Sequence, residues 1–175
     1  MKIKEGFPFK MVQFSSKIEV TKETLWNVIS RPKNLELFHP FVKENPTERW
    51  NKKDSRDTII YYNNLVLNRI FLDWVEGKSY TLIIGNSAYA TAKVHWDIIE
   101  NDSKNTSINI TIYYYPSVAL GKYPAMLQPL IDWIYLKPKL KEYVKSVVLG
   151  IKFYSESGIK VKKNQFGFNP MFSRL

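Results

Sequence analysis

The sequence predicts an α+β fold: one strand, two short helices, a meandering antiparallel sheet and a long C-terminal helix. Three observations predict it. Short alternating runs bounded by turn residues fill positions 42–115. One apolar stripe at helical spacing occupies positions 137–157. The length of 175 residues, 45% hydrophobic and 15% aromatic, suits one domain that buries about 70% of the surface its unfolded chain exposes. With 7 Gly and 9 Pro, the composition has no collagen-like or low-complexity bias.

Each element has a local cause. Val12, Phe14, Ser16, Ile18 and Val20 alternate with Gln13, Lys17 and Glu19, so Phe9 to Val20 reads as a strand with one buried face. Thr21 offers an N-cap hydroxyl to a short helix carrying Leu25, Trp26, Val28 and Ile29. That helix must end near Ser30, because Pro32 disfavours helical geometry in the residue before it. Pro32 can open a second short helix with Leu35, Leu37 and Phe38, which His39-Pro40 stops.

Between Val42 and Tyr115, turn signals fall at Asn51 to Asp54, Asn63-Asn64, Glu76-Gly77, Gly85-Asn86 and Asn101 to Asn105. They separate strands at Thr58 to Tyr62, Val66 to Val75, Ser79 to Ile84, Tyr89 to Ile99 and Ser107 to Tyr115, with a further strand around Glu44 to Asn51. The total is six to seven. In the fourth of these runs Ala90, Ala92, Val94, Trp96 and Ile98 share one face; in the fifth, Ile108, Ile110, Ile112 and Tyr114 do.

Met126 to Leu136 reads as one or two apolar helical turns. The main helix then runs from Lys137, with Pro138 near its first turn, to Ser157, with Gly158 as the stop. Leu140, Tyr143, Val144, Val147, Val148, Ile151 and Tyr154 form its stripe, and Lys141, Lys145 and Lys152 lie opposite. Leu149 and Phe153 break the pattern. The tail 159–175 is therefore expected to fold back on them, bringing Phe166, Phe168, Met171 and Phe172.

With no Cys and 2 His, disulfides, Cys-based zinc sites, iron-sulfur clusters and thiol catalysis are excluded, and metal binding has few ligands. Met1 to Lys10 lacks the apolar core of a secretory leader, and no apolar run is long enough to span a bilayer. A cytoplasmic protein without cofactor is expected. The net charge of +10 is uneven: residues 137–175 hold 8 Lys and Arg174 against Glu142 and Glu156, a balance of +7, which leaves +3 for the rest. A solvated helix face explains this. An anionic membrane surface is the second partner the charge admits, whereas nucleic acid is disfavoured because most aromatic residues occupy inward positions.

The order of elements and the wording of several segments resemble the SRPBCC superfamily, which includes START lipid-transfer domains and polyketide cyclase/dehydrase proteins. "TLWNVISRPKNLELFHPFV" (Thr24 to Val42) resembles its entry segment, with Trp26, Pro32, Leu35, Phe38, His39 and Pro40 at the positions that carry the likeness. "FLDWVEGKSYTL" (Phe71 to Leu82) and "AKVHWDII" (Ala92 to Ile99) resemble its mid-sheet strands, and "NQFGFNPMFS" (Asn164 to Ser173) resembles a tail of some bacterial members. The resemblance implies a helix-grip fold over residues 1–175, with a core of 9–158 and a tail of 159–175.

It also implies an apolar cavity between sheet and long helix, with a hydrophobic small molecule, lipid-like or polyketide-like, as the partner. The expected wall comprises Phe38 and Phe41 before the sheet, then Tyr61, Phe71, Tyr80, Ala92, Trp96 and Tyr114 on it. Leu130, Trp133, Tyr143, Val147 and Ile151 are expected from the helical region. A polyketide cyclase or dehydratase is the alternative function, for which Arg69, Tyr114 and Asp73 are the candidate catalytic residues, with Arg69 and Asp73 also readable as a cross-sheet ion pair. Docking through the Lys-rich helix is the third. His39 is expected to cap or support the short helix, and His95 to face solvent.

Overall fold

A computed structural model describes residues 1, 9–86 and 88–175. The stretch 2–8, part of the segment read as lacking an apolar leader, lies outside the described residues, as does Ser87. The first strand, β1 (Lys10–Ile18), is followed by α1 (Lys22–Ser30) and α2 (Leu35–Phe38). The Thr21 hydroxyl accepts from the Thr24 N–H at 3.2 Å, and Arg31 is extended before Pro32, so both ends of α1 follow from the local residues.

Seven further strands follow: β2 (Val42–Glu44), β3 (Thr47–Arg49), β4 (Arg56–Tyr61), β5 (Val66–Val75), β6 (Ser79–Gly85), β7 (Ala90–Asp102) and β8 (Asn105–Tyr114). All pair antiparallel in the order β1-β8-β7-β6-β5-β4-β2, with β3 also on β4, and the sheet curls into a half-barrel. The count is eight, where six to seven were expected, because the segment expected as one strand at Glu44 to Asn51 is two short ones. Pro46 separates them and cannot donate to a ladder. The inward alternation of β7 and β8 is as the sequence predicts, from Ala90 to Ile98 and from Ile108 to Tyr114.

A turn α3 (Pro116–Ala119) leads into a nearly continuous helical run. It comprises a 3-10 turn (Ala125–Leu127), α4 (Gln128–Ile131), a π-helical turn (Asp132–Leu136) and α5 (Lys137–Ser157). In the π turn the Lys137 N–H reaches back five residues to the Asp132 carbonyl. Pro138, next in line, has no N–H and would crowd the carbonyl four residues before it, so the wider turn carries the helix past it. α5 ends where Gly158 takes φ 69° and donates to the Tyr154 carbonyl at 2.8 Å.

At 21 residues, α5 is about 30 Å long. It packs mainly along β1, burying Val144, Val147, Val148 and Ile151. Gly150 allows α2 to come close: a Cβ there would lie 2.0 Å from the Phe38 carbonyl oxygen. Residues 159–175 run back along α5. The Ser146 hydroxyl donates to the Phe166 carbonyl at 2.9 Å, Asn169 Nδ2 donates to the Lys139 carbonyl at 2.9 Å, and the Phe153 and Phe166 rings meet edge to face.

Candidate functional site

Because α5 lies closest to β1, it stands away from the other side of the curled sheet. A partly open cavity of about 260 Å³ lies there. Its sheet wall comes from inward residues of β4 to β8: Ile59, Tyr61, Arg69, Leu82, Ile84, Ala92, Val94, Trp96, Ile110, Ile112 and Tyr114. Leu136, Leu140, Tyr143, Val144 and Val147 line it from the helix, while Met171 and Phe172 of the tail close one side. The small Ala92 stands directly across from Tyr114, and almost every wall atom is apolar.

One cluster at the wall is polar. His39 Nδ1 accepts from the Phe41 N–H at 3.2 Å, so in the neutral ring Nε2 carries the hydrogen and faces the Tyr143 hydroxyl at 3.0 Å. The Tyr143 hydroxyl is in turn 3.1 Å from that of Tyr61. His39, Tyr143 and Tyr61 bring three N–H or O–H hydrogens to two links. One hydroxyl hydrogen is therefore left without a partner among the described residues, at the wall of the cavity.

The surroundings hold this cluster neutral. Burial, helped by the Arg69 charge, lowers the His39 pKa to about 3. Burial also pushes Tyr143 up to about 12 and Tyr61 well above the ordinary phenol value. At neutral pH the cluster is a hydrogen-bond donor whose order is set by the Phe41 N–H. Phe41 stacks on Tyr143 with ring centres 5.7 Å apart, and Phe172 packs on both tyrosines at 4.3 and 4.9 Å.

Arg69, on β5, sits directly across from Asp57 on β4, and both are buried. Arg69 Nε donates to Asp57 Oδ1 at 2.7 Å, Nη2 donates to Oδ2, and Asn45 Nδ2 donates to the same carboxylate at 3.0 Å. Burial opposes the Arg69 charge, yet the Asp57 carboxylate more than offsets it and holds the guanidinium above its ordinary pKa. The expected Arg69–Asp73 pair is not formed. A β-bulge between Phe71 and Asp73 adds one residue, turns Asp73 to solvent and brings Trp74 inward. The partner is Asp57 instead, because the turn at Asn63-Asn64 folds residue 57 back beside residue 69.

Tyr114 reaches the cavity, but its hydroxyl donates to Asp132 Oδ1 at 2.9 Å, and Lys10 Nζ holds Oδ2 at 2.6 Å. Burial and the bonded carboxylate both raise the Tyr114 pKa. Of the expected wall, Tyr61, Ala92, Trp96, Tyr114, Tyr143 and Val147 line the cavity. Phe38, Phe41 and Ile151 are packed behind it. Phe71 and Tyr80 belong to an aromatic cluster with Trp50, Trp74 and Trp26, which fills the α1 end of the sheet and backs the wall where Tyr80 stacks on Trp96 at 5.3 Å. Leu130 and Trp133 lie outside, 52% and 71% exposed, because the π turn faces Asp132 and Leu136 inward instead.

His39 both supports the turn after α2 and lines the cavity. The sequence carried the first role in His39-Pro40; the second depends on α5 arriving with Tyr143. His95 is on the outer face, within 2.9 Å of the Thr81 hydroxyl. No cluster of three metal-ligating side chains occurs among the described residues.

No family model and no curated protein sequence matches the chain. Solved structures do. Norcoclaurine synthase from Thalictrum flavum, in complex with dopamine and hydroxybenzaldehyde, superposes with a TM-score of 0.58 at 8% identity, over 84% of this chain and 86% of that one. The Aha1 dimer protein from Colwellia psychrerythraea gives 0.62 at 8% identity, over 85% and 98%. The di-domain ARO/CYC BexL from the BE-7585A biosynthetic pathway gives 0.58 at 8% identity, over 83% of this chain and 47% of the di-domain. The likeness is one of fold: a curled antiparallel sheet with a long C-terminal helix, the helix-grip arrangement.

Proposed function

We propose, from a helix-grip fold that leaves an apolar cavity between sheet and long helix, that the chain binds one small hydrophobic molecule there and hydrogen-bonds its carbonyl or other acceptor atom through the Tyr61–Tyr143 pair. The observation that carries this reading is the hydroxyl hydrogen that the His39–Tyr143–Tyr61 chain leaves unshared on a mostly apolar wall. An acceptor placed there gains a bond without leaving another buried group unpaired. The volume of about 260 Å³ is at the small end of ligand pockets, which run from about 300 to 1,000 Å³, and this favours a compact ring or short chain over a long acyl chain.

A complex of a fold neighbour with dopamine and hydroxybenzaldehyde supports a ligand of this size class. The cyclase or dehydratase reading draws on the ARO/CYC neighbour and on the convergence of His39, Tyr61 and Tyr143. It needs a group that takes a proton, and Asp57 and Asp132, the carboxylates beside the cavity, are already engaged by Arg69, Lys10 and Tyr114. Binding is therefore preferred. The reading treats residues 1–175 as one domain, since Met171 and Phe172 complete the wall, and a cytoplasmic setting accords with the absence of Cys.

Native mass spectrometry of gently purified protein, followed by displacement of an environment-sensitive dye with aromatic ketones and medium-chain fatty acids, tests it. A retained mass or displacement by the compact ketones is expected, and Val147→Phe should abolish either. Neither retention nor displacement would refute the reading.

A further inference from the structure

The helical run before α5 has an outer surface unlike the rest of the molecule. Met126 is 85% exposed, Trp133 71%, Ile134 59% and Leu130 52%, with Leu127 and Tyr135 beside them. Residues 123–136 contain one charged side chain, Asp132, and it is fully buried against Lys10 and Tyr114. Fourteen consecutive positions therefore show solvent no charge, which a surface left to water rarely does over so many large apolar groups.

Basic residues bracket this surface. Lys122 precedes it, with Nζ 5.0 Å from the centre of the Tyr123 ring, and Lys137 follows it. Lys141 and Lys145 are exposed on the next turns of α5, and Glu142, ion-paired with Lys139, is the one acidic residue among them. Apolar and aromatic groups in the middle with lysines at both ends match the layered chemistry of a bilayer interface: acyl boundary first, anionic headgroups around it. The run is too short and too broken to span, and no helix among the described residues is long and apolar enough to cross a membrane.

We infer that residues 123–136 form a membrane-docking surface, seated on anionic lipid with Met126, Leu130, Trp133 and Ile134 in the acyl boundary and Lys122, Lys137, Lys141 and Lys145 among the headgroups. A protein partner would answer the apolar centre equally well; the lysines at both ends, with so few acids, favour a surface that is itself uniformly negative. Leu136, at the inner side of the same run, lines the cavity, so the docked face adjoins the site where a hydrophobic ligand is proposed to sit. Docking stands on the surface residues and does not require the cavity to be occupied.

The test uses the full chain and sedimentation with vesicles of phosphatidylcholine alone or with roughly one third phosphatidylglycerol, the composition whose negative surface potential attracts clustered lysines. Binding to the anionic vesicles is expected, weakened about tenfold by Trp133→Ser through lost apolar burial. Lys122→Gln and Lys137→Gln should each weaken it roughly fivefold on the anionic vesicles alone. Fluorescence quenching by brominated lipid should be lost in Trp133→Phe, because Trp26 and Trp96 are buried and Trp50 and Trp74 are half-buried. Unchanged melting temperatures separate these effects from misfolding. Binding that ignores both lipid charge and Trp133 would overturn the inference. So would a concentration-dependent dimer, abolished by Trp133→Ser, that leaves vesicle binding absent, since the surface would then belong to a second copy.

Discussion

The hydroxyl of Tyr143 on α5 lies 3.1 Å from that of Tyr61 on β4, a bridge between helix and sheet that is backed by His39 at 3.0 Å. The link joins the two layers at the wall of the cavity and places one spare donor there.

Tyr143 is the middle of the chain, so its hydroxyl serves two partners while that of Tyr61 serves one. Tyr143→Phe should cost about 2–3 kcal/mol, because it leaves the buried His39 Nε2–H unpaired, whereas Tyr61→Phe should cost about 1 kcal/mol. Denaturant unfolding of the two variants measures the difference. Equal costs would mean that the chain is not ordered as described.

Stability should fall with acid because of His39. In the folded protein the imidazole stays neutral down to about pH 3, while the unfolded chain protonates near the ordinary histidine value of 6.5. The unfolded state therefore binds more protons between those values, and stability is complete above the window and declines on descending through it, by up to about 1.4 kcal/mol per pH unit. His39→Gln should flatten that slope when unfolding free energies near pH 7 and near pH 5 are compared.

Arg69 and Asp57 are buried and directly opposed. Asp57→Asn or Arg69→Met should each destabilise by about 3–5 kcal/mol, since one buried charge loses its counter-charge, while the Asp57→Leu, Arg69→Met double variant should cost less than either. A double variant as costly as the sum of the singles would show that the two act independently.

Gly150→Ala tests the approach of α2 to α5. The added methyl would meet the Phe38 carbonyl at 2.0 Å, so a loss of about 2–3 kcal/mol is expected from overpacking. A neutral or stabilising change, as in an ordinary helix interior, would mean the two elements can separate.

Removing residues 165–175 should lower the melting temperature by several degrees, roughly 2–4 °C per kcal/mol for a chain of this size. Phe172 is 8% exposed and packs on Tyr61 and Tyr143, so the deletion opens the cavity as well. An unchanged melting temperature would show those contacts to be dispensable.

Alternation and helical spacing carried the sheet faces and α5, down to its Lys137 start and Gly158 stop, because each follows from residues within a few positions. The site was legible where it lay on those faces, as with Ala92, Trp96 and Val147. It was not legible where one extra residue changed the phase. The bulge after Phe71 turned Asp73 outward, and the π turn turned Trp133 and Leu130 outward. His39 and Tyr143, 104 positions apart, meet only once the helix is docked.

The central claim is that this pair of tyrosines donates to a ligand inside the cavity. Calorimetric titration with acetophenone, and with its hydrocarbon isostere α-methylstyrene, of the native protein and the Tyr61→Phe, Tyr143→Phe double variant tests it most directly. One molecule per chain is expected, with acetophenone weakened about tenfold in the double variant and the hydrocarbon unaffected. No binding of either probe, or acetophenone bound equally by both proteins, would contradict the account.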